Sequence, residues 1–199
     1  MILHQHPFAS YCWKALIALY ECEVPFERVL VEDRAALAEL WPPAGIPVLV
    51  DGDTVVPEST TIIEHAAPAL MSSLEARVWD RVLDAHVMTP MQKIVADALR
   101  PADARDPYGV DDARAKLDAA YALLEDRVTD GWLAGPFSVA ECAAAPSLFY
   151  ANVVHPWQGF PRLSAYFERL LERESVARVI DEARPYRVLF PLPWPEHVT

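Results

Sequence analysis

An α/β unit with a mixed sheet, followed by a domain made only of helices, is the fold class that the 199-residue sequence predicts. Three observations predict it. Within the first 70 or so residues, short β-branched runs alternate with helical ones. Inside that region Asp51-Gly52-Asp53 separates two extended runs, residues 46–50 and 54–56, which is the signal of a β-hairpin. From Leu74 onward the apolar period becomes helical and stays so, which divides the chain into expected domains of residues 1–72 and 73–199.

The elements follow in order. Residues 2–4 form a short strand candidate, and after His6-Pro7 the chain turns into a helix at Ser10, a residue type suited to the N-cap. Between Tyr11 and Tyr20 only Lys14 is charged, so this helix is expected to lie buried between two layers. Residues 27–31 read as a strand, residues 35–40 as a short helix and residues 41–45 as an irregular loop. In the hairpin Pro47 must begin its strand, because it has no N–H to give to a ladder. A helix opens after Pro57-Glu58-Ser59 and carries Ile62, Ile63 and Ala66, completing the order βαβαββα.

The second domain is patterned differently. Val78, Trp79, Val82, Leu83, Val87, Ile94, Val95 and Ala98 trace one face of a long helix that Pro90 should kink. Residues 101–109, rich in Pro and Asp, form a connection. Helical periods then recur from Ala113 to Val128, from Leu163 to Leu171 and from Val176 to Ala183. Ser138 with Glu141 three residues on is a capping box ahead of the Cys142 helix. Residues 185–195 are too rich in Pro for a helix and are expected to lie extended on the surface or be partly disordered.

Charge excludes some partners. The net charge is −12, and residues 1–75 hold 3 Lys/Arg against 11 Asp/Glu, a surface that repels nucleic acid and anionic membranes. No apolar stretch approaches the roughly 20 residues of a membrane span and no signal-peptide pattern precedes the fold, so the expected location is the cytoplasm. Three cysteines, Cys12, Cys22 and Cys142, do not make a disulfide scaffold. His4 and His6 share one strand face but have no third metal ligand nearby.

Four motifs in order carry a resemblance that spans almost the whole chain. They are Ser10-Tyr11-Cys12-Trp13-Lys14 at the first helix, Gly45-Ile46-Pro47-Val48-Leu49, Glu58-Ser59 at the third helix, and Trp132-Leu133-Ala134-Gly135 ahead of Phe137 to Pro146. The sequence resembles the glutathione S-transferase superfamily. That resemblance implies a thioredoxin-like first domain that binds glutathione as co-substrate, a dimeric assembly, and attack of the glutathione thiolate on an apolar electrophile held between the domains. It also implies a cis peptide at Pro47, with the Ile46 backbone pairing with the glutathione peptide. Glu58 and Ser59, at a helix start, are implied to hold the γ-glutamyl carboxylate, and Ser10 to stabilise the thiolate.

Two departures from the family pattern stand out. Ala9 occupies the position of the usual activating Ser or Cys, and Gly45 the position where a Lys is common. They keep two alternatives open: a non-catalytic binding or interaction protein on the same fold, and a thiol-disulfide reductase working through Cys12. Ser10 and Ser59 each also have a purely structural role available as helix caps. Trp13, Met88, Met91, Tyr108 and Tyr150 are candidates for an apolar acceptor pocket, each with core packing as the alternative.

Overall fold

The computed structural model describes residues 1–195. Its sheet has four strands, β1 (Ile2–Gln5), β2 (Glu27–Leu30), β3 (Val48–Asp51) and β4 (Thr54–Pro57), in the order β2-β1-β3-β4. β1 runs parallel to β2, with Ile2 opposite Glu27, and antiparallel to β3, with Ile2 opposite Val50. Parallel pairing needs a crossover, and helix α1 (Ser10–Glu21) supplies it. The short helix α2 (Arg34–Leu40) follows β2, capped by the Asp33 carboxylate on the Ala35 N–H, and α3 (Ser59–Ala66) follows the hairpin. This is the thioredoxin-like arrangement.

Residues Cys12 to Leu19 of α1 are all buried, as an almost uncharged helix requires. α1 packs against α3 and against two helices of the C-terminal part, α7 (Val139–Val154) and α9 (Glu174–Ala183). One continuous apolar core therefore joins the sheet unit to the helices.

The long helix anticipated over residues 74–98 is divided. α4 (Leu74–Leu83) and α5 (Thr89–Ala98) are joined by a π-helical turn, Asp84–Met88, with Pro90 in the first turn of α5. Pro90 has no N–H for the carbonyl four residues before it, so the ladder must change register there. The Thr89 N–H and hydroxyl both donate to the Asp84 carbonyl, closing the wider turn. α6 (Pro107–Arg127) starts three residues earlier than the 101–109 connection implied, because the Asp106 carboxylate caps it through the Gly109 N–H and Pro107 suits a first turn.

The capping box at α7 is present in full: Ser138 Oγ accepts from the Ala140 N–H while Glu141 Oε2 accepts from the Ser138 N–H at 2.9 Å. Glu141 Oε1 also accepts from the Leu133 N–H at 2.7 Å, which ties the Trp132–Gly135 bridge to the helix. α8 (Pro161–Leu171) completes the helices.

Two expectations are corrected. Ser10 is not the N-cap of α1; Ala9 holds that position without a side-chain bond, and Ser10 is the first helical residue, its hydroxyl turned elsewhere. The tail is not a loose extension: residues Arg184–Leu189 form a 3-10 turn, with Pro185 where a helical first turn tolerates it, and Phe190, Leu192 and Trp194 pack on the core. Aromatic area drives this docking, with Phe190 and Trp194 each about 6.1 Å from Phe8. Residues 196–199 of the expected second domain lie outside the described residues. No helix among the described residues is long and apolar enough to cross a membrane.

Candidate functional site

Three chain segments converge where the sheet unit meets the helices: the start of α1, the loop before β3 and the start of α3. A cleft of about 670 Å³ runs from Ser10, Tyr11, Gly45 and Ile46 to Met91, Gln92 and Val95 of α5, with Phe190 of the tail along its side. A smaller cavity of about 360 Å³ is lined by Tyr11, Glu58, Ser59, Thr60, Arg81 and Asp84, among others. Tyr11 stands in the lining of both, so the two spaces meet at the first turn of α1.

Each segment presents backbone groups without partners among the described residues. At α1 the first helical bonds come from Cys12 and Trp13 onto the Ala9 carbonyl, which leaves the Ser10 and Tyr11 N–H groups free at the positive end of the helix. The Ile46-Pro47 peptide is cis, and the Ile46 N–H and C=O take part in no ladder. At α3 the first bond runs from the Ile62 N–H to the Glu58 carbonyl, leaving the N–H groups of Ser59, Thr60 and Thr61 free. Glu58 reaches this geometry at φ +67°, a region costly for a residue with a Cβ and typical of positions held for a site. Ser59, nearly buried, is the first residue of α3 rather than its cap.

Beneath this site lies an ion cluster. Lys14, fully buried, donates to Asp84 at 2.6 Å and to Thr60 Oγ1 at 2.8 Å, and its ammonium forms an ion pair with Asp80 at 2.6 Å. Thr60 in turn donates to Asp80 at 3.2 Å. α1, α3, α4 and the π turn thus share one polar knot, in which the buried ammonium is matched by opposite charge. Burial holds the Asp84 carboxyl above the usual carboxylate range, although Lys14 pulls it back, and its Oδ1 is buried with no hydrogen-bond partner among the described residues.

The hydroxyls and thiols differ sharply. Ser10 Oγ accepts from Gln92 Nε2 at 3.4 Å, so its own proton remains free to point into the cleft. Burial, with the negative charge of Asp84, pushes the Tyr11 phenol up to about 12; it acts as a donor and not as a phenolate. Burial pushes the Cys12 thiol to about 12 as well, and its side chain has no exposure, so neither thiolate nor access is available for disulfide exchange.

Of the candidate pocket residues, Met91 and Tyr150 do line the cleft. Trp13 and Met88 are core residues outside both linings, and Tyr108, 85% exposed on α6, is not part of the site. His6 accepts from the Phe8 N–H and rests on the Tyr186 ring, and no group of three metal-ligating side chains exists among the described residues. Sequence reasoning passed over Asp84, Gln92 and Arg34. Lys14 carried a signal, as the lone charge in an apolar helix, but its partners lie 66 and 70 residues away.

A thioredoxin-like sheet unit joined to a helical unit, with an open cleft between the start of α1 and α5, defines the two-domain class of the soluble glutathione transferases. Residues 8–68 match the family model described as glutathione S-transferase, N-terminal domain, and residues 97–169 the one described as glutathione S-transferase, C-terminal domain. The chain belongs to the glutathione S-transferase superfamily. It is similar to glutathione S-transferase GstB of Escherichia coli K12, 27% identical, with 84% of this chain and 91% of that protein covered. It is also similar to a stringent starvation protein A homolog of Pasteurella multocida, 26% identical, with 90% and 89% covered. A crystal structure of a glutathione S-transferase from Methylobacterium radiotolerans in complex with glutathione sulfonate superposes with a TM-score of 0.77 at 25% identity, covering 90% of this chain and 93% of that one.

Proposed function

We propose that this protein binds glutathione and transfers its thiolate to an apolar electrophile. One observation carries the reading: the three segments with free backbone groups, at Ser10, Ile46 and Ser59, open onto two spaces that meet at Tyr11. The γ-glutamyl carboxylate docks on Ser59 and the free N–H groups of α3, in the turn that Glu58 shapes. The cysteinyl unit pairs with the Ile46 backbone ahead of cis-Pro47. That places sulfur at the start of α1, where the Ser10 hydroxyl and the helix N–H groups favour thiolate over thiol. Arg34 lines the cleft with Gly45 and Ile46 and has no ion pair among the described residues, so in this reading it supplies the cation that Gly45 does not.

A calorimetric titration with glutathione tests this reading. Saturable binding in the micromolar to low millimolar range is expected, weakened about tenfold in Ser59→Ala and in Arg34→Ala through loss of a charge-assisted hydrogen bond. Absence of heat together with an unmoved melting temperature overturns it. That result would favour the second reading, a binding protein on this fold, which Ala9 at the activating position supports.

The acting form is a cytoplasmic homodimer in this reading. The three cysteines are free thiols, as a reducing compartment keeps them. Leu74 (78% exposed) and Val78 (49%) lie one turn apart on α4 and leave an apolar face open to a second copy. Sedimentation of the wild type should give a dimer and Val78→Asp a monomer; a wild-type monomer at all concentrations removes this assignment.

A further inference from the structure

The chain ahead of α1 has no side-chain cap, yet it is held peptide by peptide. A peptide unit is planar, so partners on both its oxygen and its N–H fix its orientation. In the unit between Pro7 and Phe8, the Pro7 carbonyl accepts from Trp13 Nε1 at 2.5 Å and the Phe8 N–H donates to His6 Nδ1 at 3.1 Å. In the next, the Phe8 carbonyl accepts from the Tyr150 hydroxyl at 2.9 Å and the Ala9 N–H donates to the His6 carbonyl at 3.0 Å. In the third, the Ala9 carbonyl accepts from the Cys12 and Trp13 N–H groups at 2.9 and 3.1 Å. The opposite edge of that third plane is the Ser10 N–H, which has no partner among the described residues, and Ser10 lines the cleft.

His6, Trp13 and Cys12 are neighbours in sequence, as partners of a tight loop should be. Tyr150 is not. It stands on α7, 142 residues from Phe8, and is 4% exposed. Its ring meets the Phe8 ring edge to face at 5.7 Å and rests against Trp13 at 5.1 Å, so the hydroxyl is held in place by packing. A buried hydroxyl given to this loop carbonyl is a strut from the helical unit to the chain that carries the proposed sulfur site.

We infer that Tyr150 is a positioning residue for the thiolate: through the Phe8 carbonyl it fixes the peptide planes that aim the Ser10 N–H and hydroxyl at sulfur. The side chain at position 9, an alanine, cannot perform that task. The inference rests on the transferase reading above. Donors aimed in advance at an anion stabilise it without reorganisation, and a loop free to reorient loses part of that stabilisation. Tyr150 touches neither sulfur nor the glutathione peptide in this scheme, so its loss acts on the acidity of the bound thiol and not on the grip at Ile46 and Ser59.

The test compares the wild type with Tyr150→Phe and with Tyr121→Phe. The second variant is a matched control, because the buried Tyr121 donates to the His155 carbonyl, also at 2.9 Å, at the C-terminal end of α7 and outside both site linings. Thiolate absorbance of the glutathione complex, titrated with pH, should show the apparent thiol pKa raised by about one in Tyr150→Phe. Its kcat with an aryl halide should fall about tenfold at neutral pH and recover at alkaline pH. Affinity for S-methylglutathione, which has no thiol to ionise, should stay within about twofold of the wild type, and Tyr121→Phe should leave all three readings unmoved. An unmoved thiol pKa in Tyr150→Phe overturns the inference, and so does an equal rise in Tyr121→Phe, which would mark a general loosening of the helices. Amide exchange in the free wild type needs no variant: slow exchange at Phe8 and Ala9 is expected, and rapid exchange there overturns the inference even where Tyr150→Phe does not fold. A wild type that takes up neither glutathione nor S-methylglutathione removes the transferase reading itself, a result distinct from an unmoved pKa in a protein that binds both.

Discussion

Replacing Lys14 by Met lowers the free energy of unfolding by about 3–5 kcal/mol, read from urea titrations at neutral pH. The reason is the asymmetry of buried ion pairs. Lys14 is fully buried and paired with Asp80 and Asp84, of which Asp80 is itself 1% exposed; without the ammonium, two carboxylates, one of them buried, lose their shared cation. A loss of that size is a large share of the roughly 5–15 kcal/mol available to a folded domain. The pH dependence has a definite sign. Asp84 already binds its proton more tightly folded than unfolded, because burial raises it, so its contribution to stability falls as pH rises above the ordinary carboxylate value of 3.8. Removal of Lys14 strengthens that effect, and the deficit of the variant should shrink as pH is lowered from 7 toward about 4. Lys14→Met combined with Asp80→Asn and Asp84→Asn should regain most of the loss, since the buried charges vanish together. A single-variant loss below about 1 kcal/mol would show that water reaches the cluster and that the two units are not held by it.

Ser10→Ala lowers kcat for conjugation of an aryl halide by about 100-fold, the size expected when one preorganised donor to a developing or stabilised anion is lost. The affinity for glutathione should stay near that of the wild type, because the proposed binding mode holds the peptide at Ile46 and Ser59. The pH profile separates this from a packing defect. If the hydroxyl stabilises the thiolate, its removal raises the apparent pKa of the bound thiol, each unit being about 1.4 kcal/mol, and activity recovers at alkaline pH. Unchanged turnover takes Ser10 out of the mechanism and passes the role to the Tyr11 hydroxyl, which stays protonated well past neutral pH.

How far the sequence reaches can be followed residue by residue. The hairpin around Asp51-Gly52, the Ser138–Glu141 box and the buried character of α1 were legible, because each depends on a few neighbouring residues and on the period of the side chains. The four motifs were enough to place the chain in its family, which the matches over residues 8–68 and 97–169 bear out. A disturbance of the 74–98 helix was also foreseeable from Pro90, but not that the ladder would open as a π turn whose Asp84 pairs with Lys14.

Other features were decided only by folding. The tail reads as a Pro-rich extension, yet Phe190 and Trp194 dock on Phe8, a residue near the opposite end of the chain, because aromatic area is removed from water wherever a complementary surface exists. Ser10 reads as a cap; the backbone gave that position to Ala9 and left the hydroxyl to meet Gln92, 82 residues away. Local periodicity and turn chemistry determine which elements form and which faces they bury, and these the sequence settled by itself. The partners of Lys14, the neighbours of Gln92 and the meeting of two spaces at Tyr11 depend on contacts between distant segments, which only the packing of α1 against α4 and α5 in three dimensions could fix.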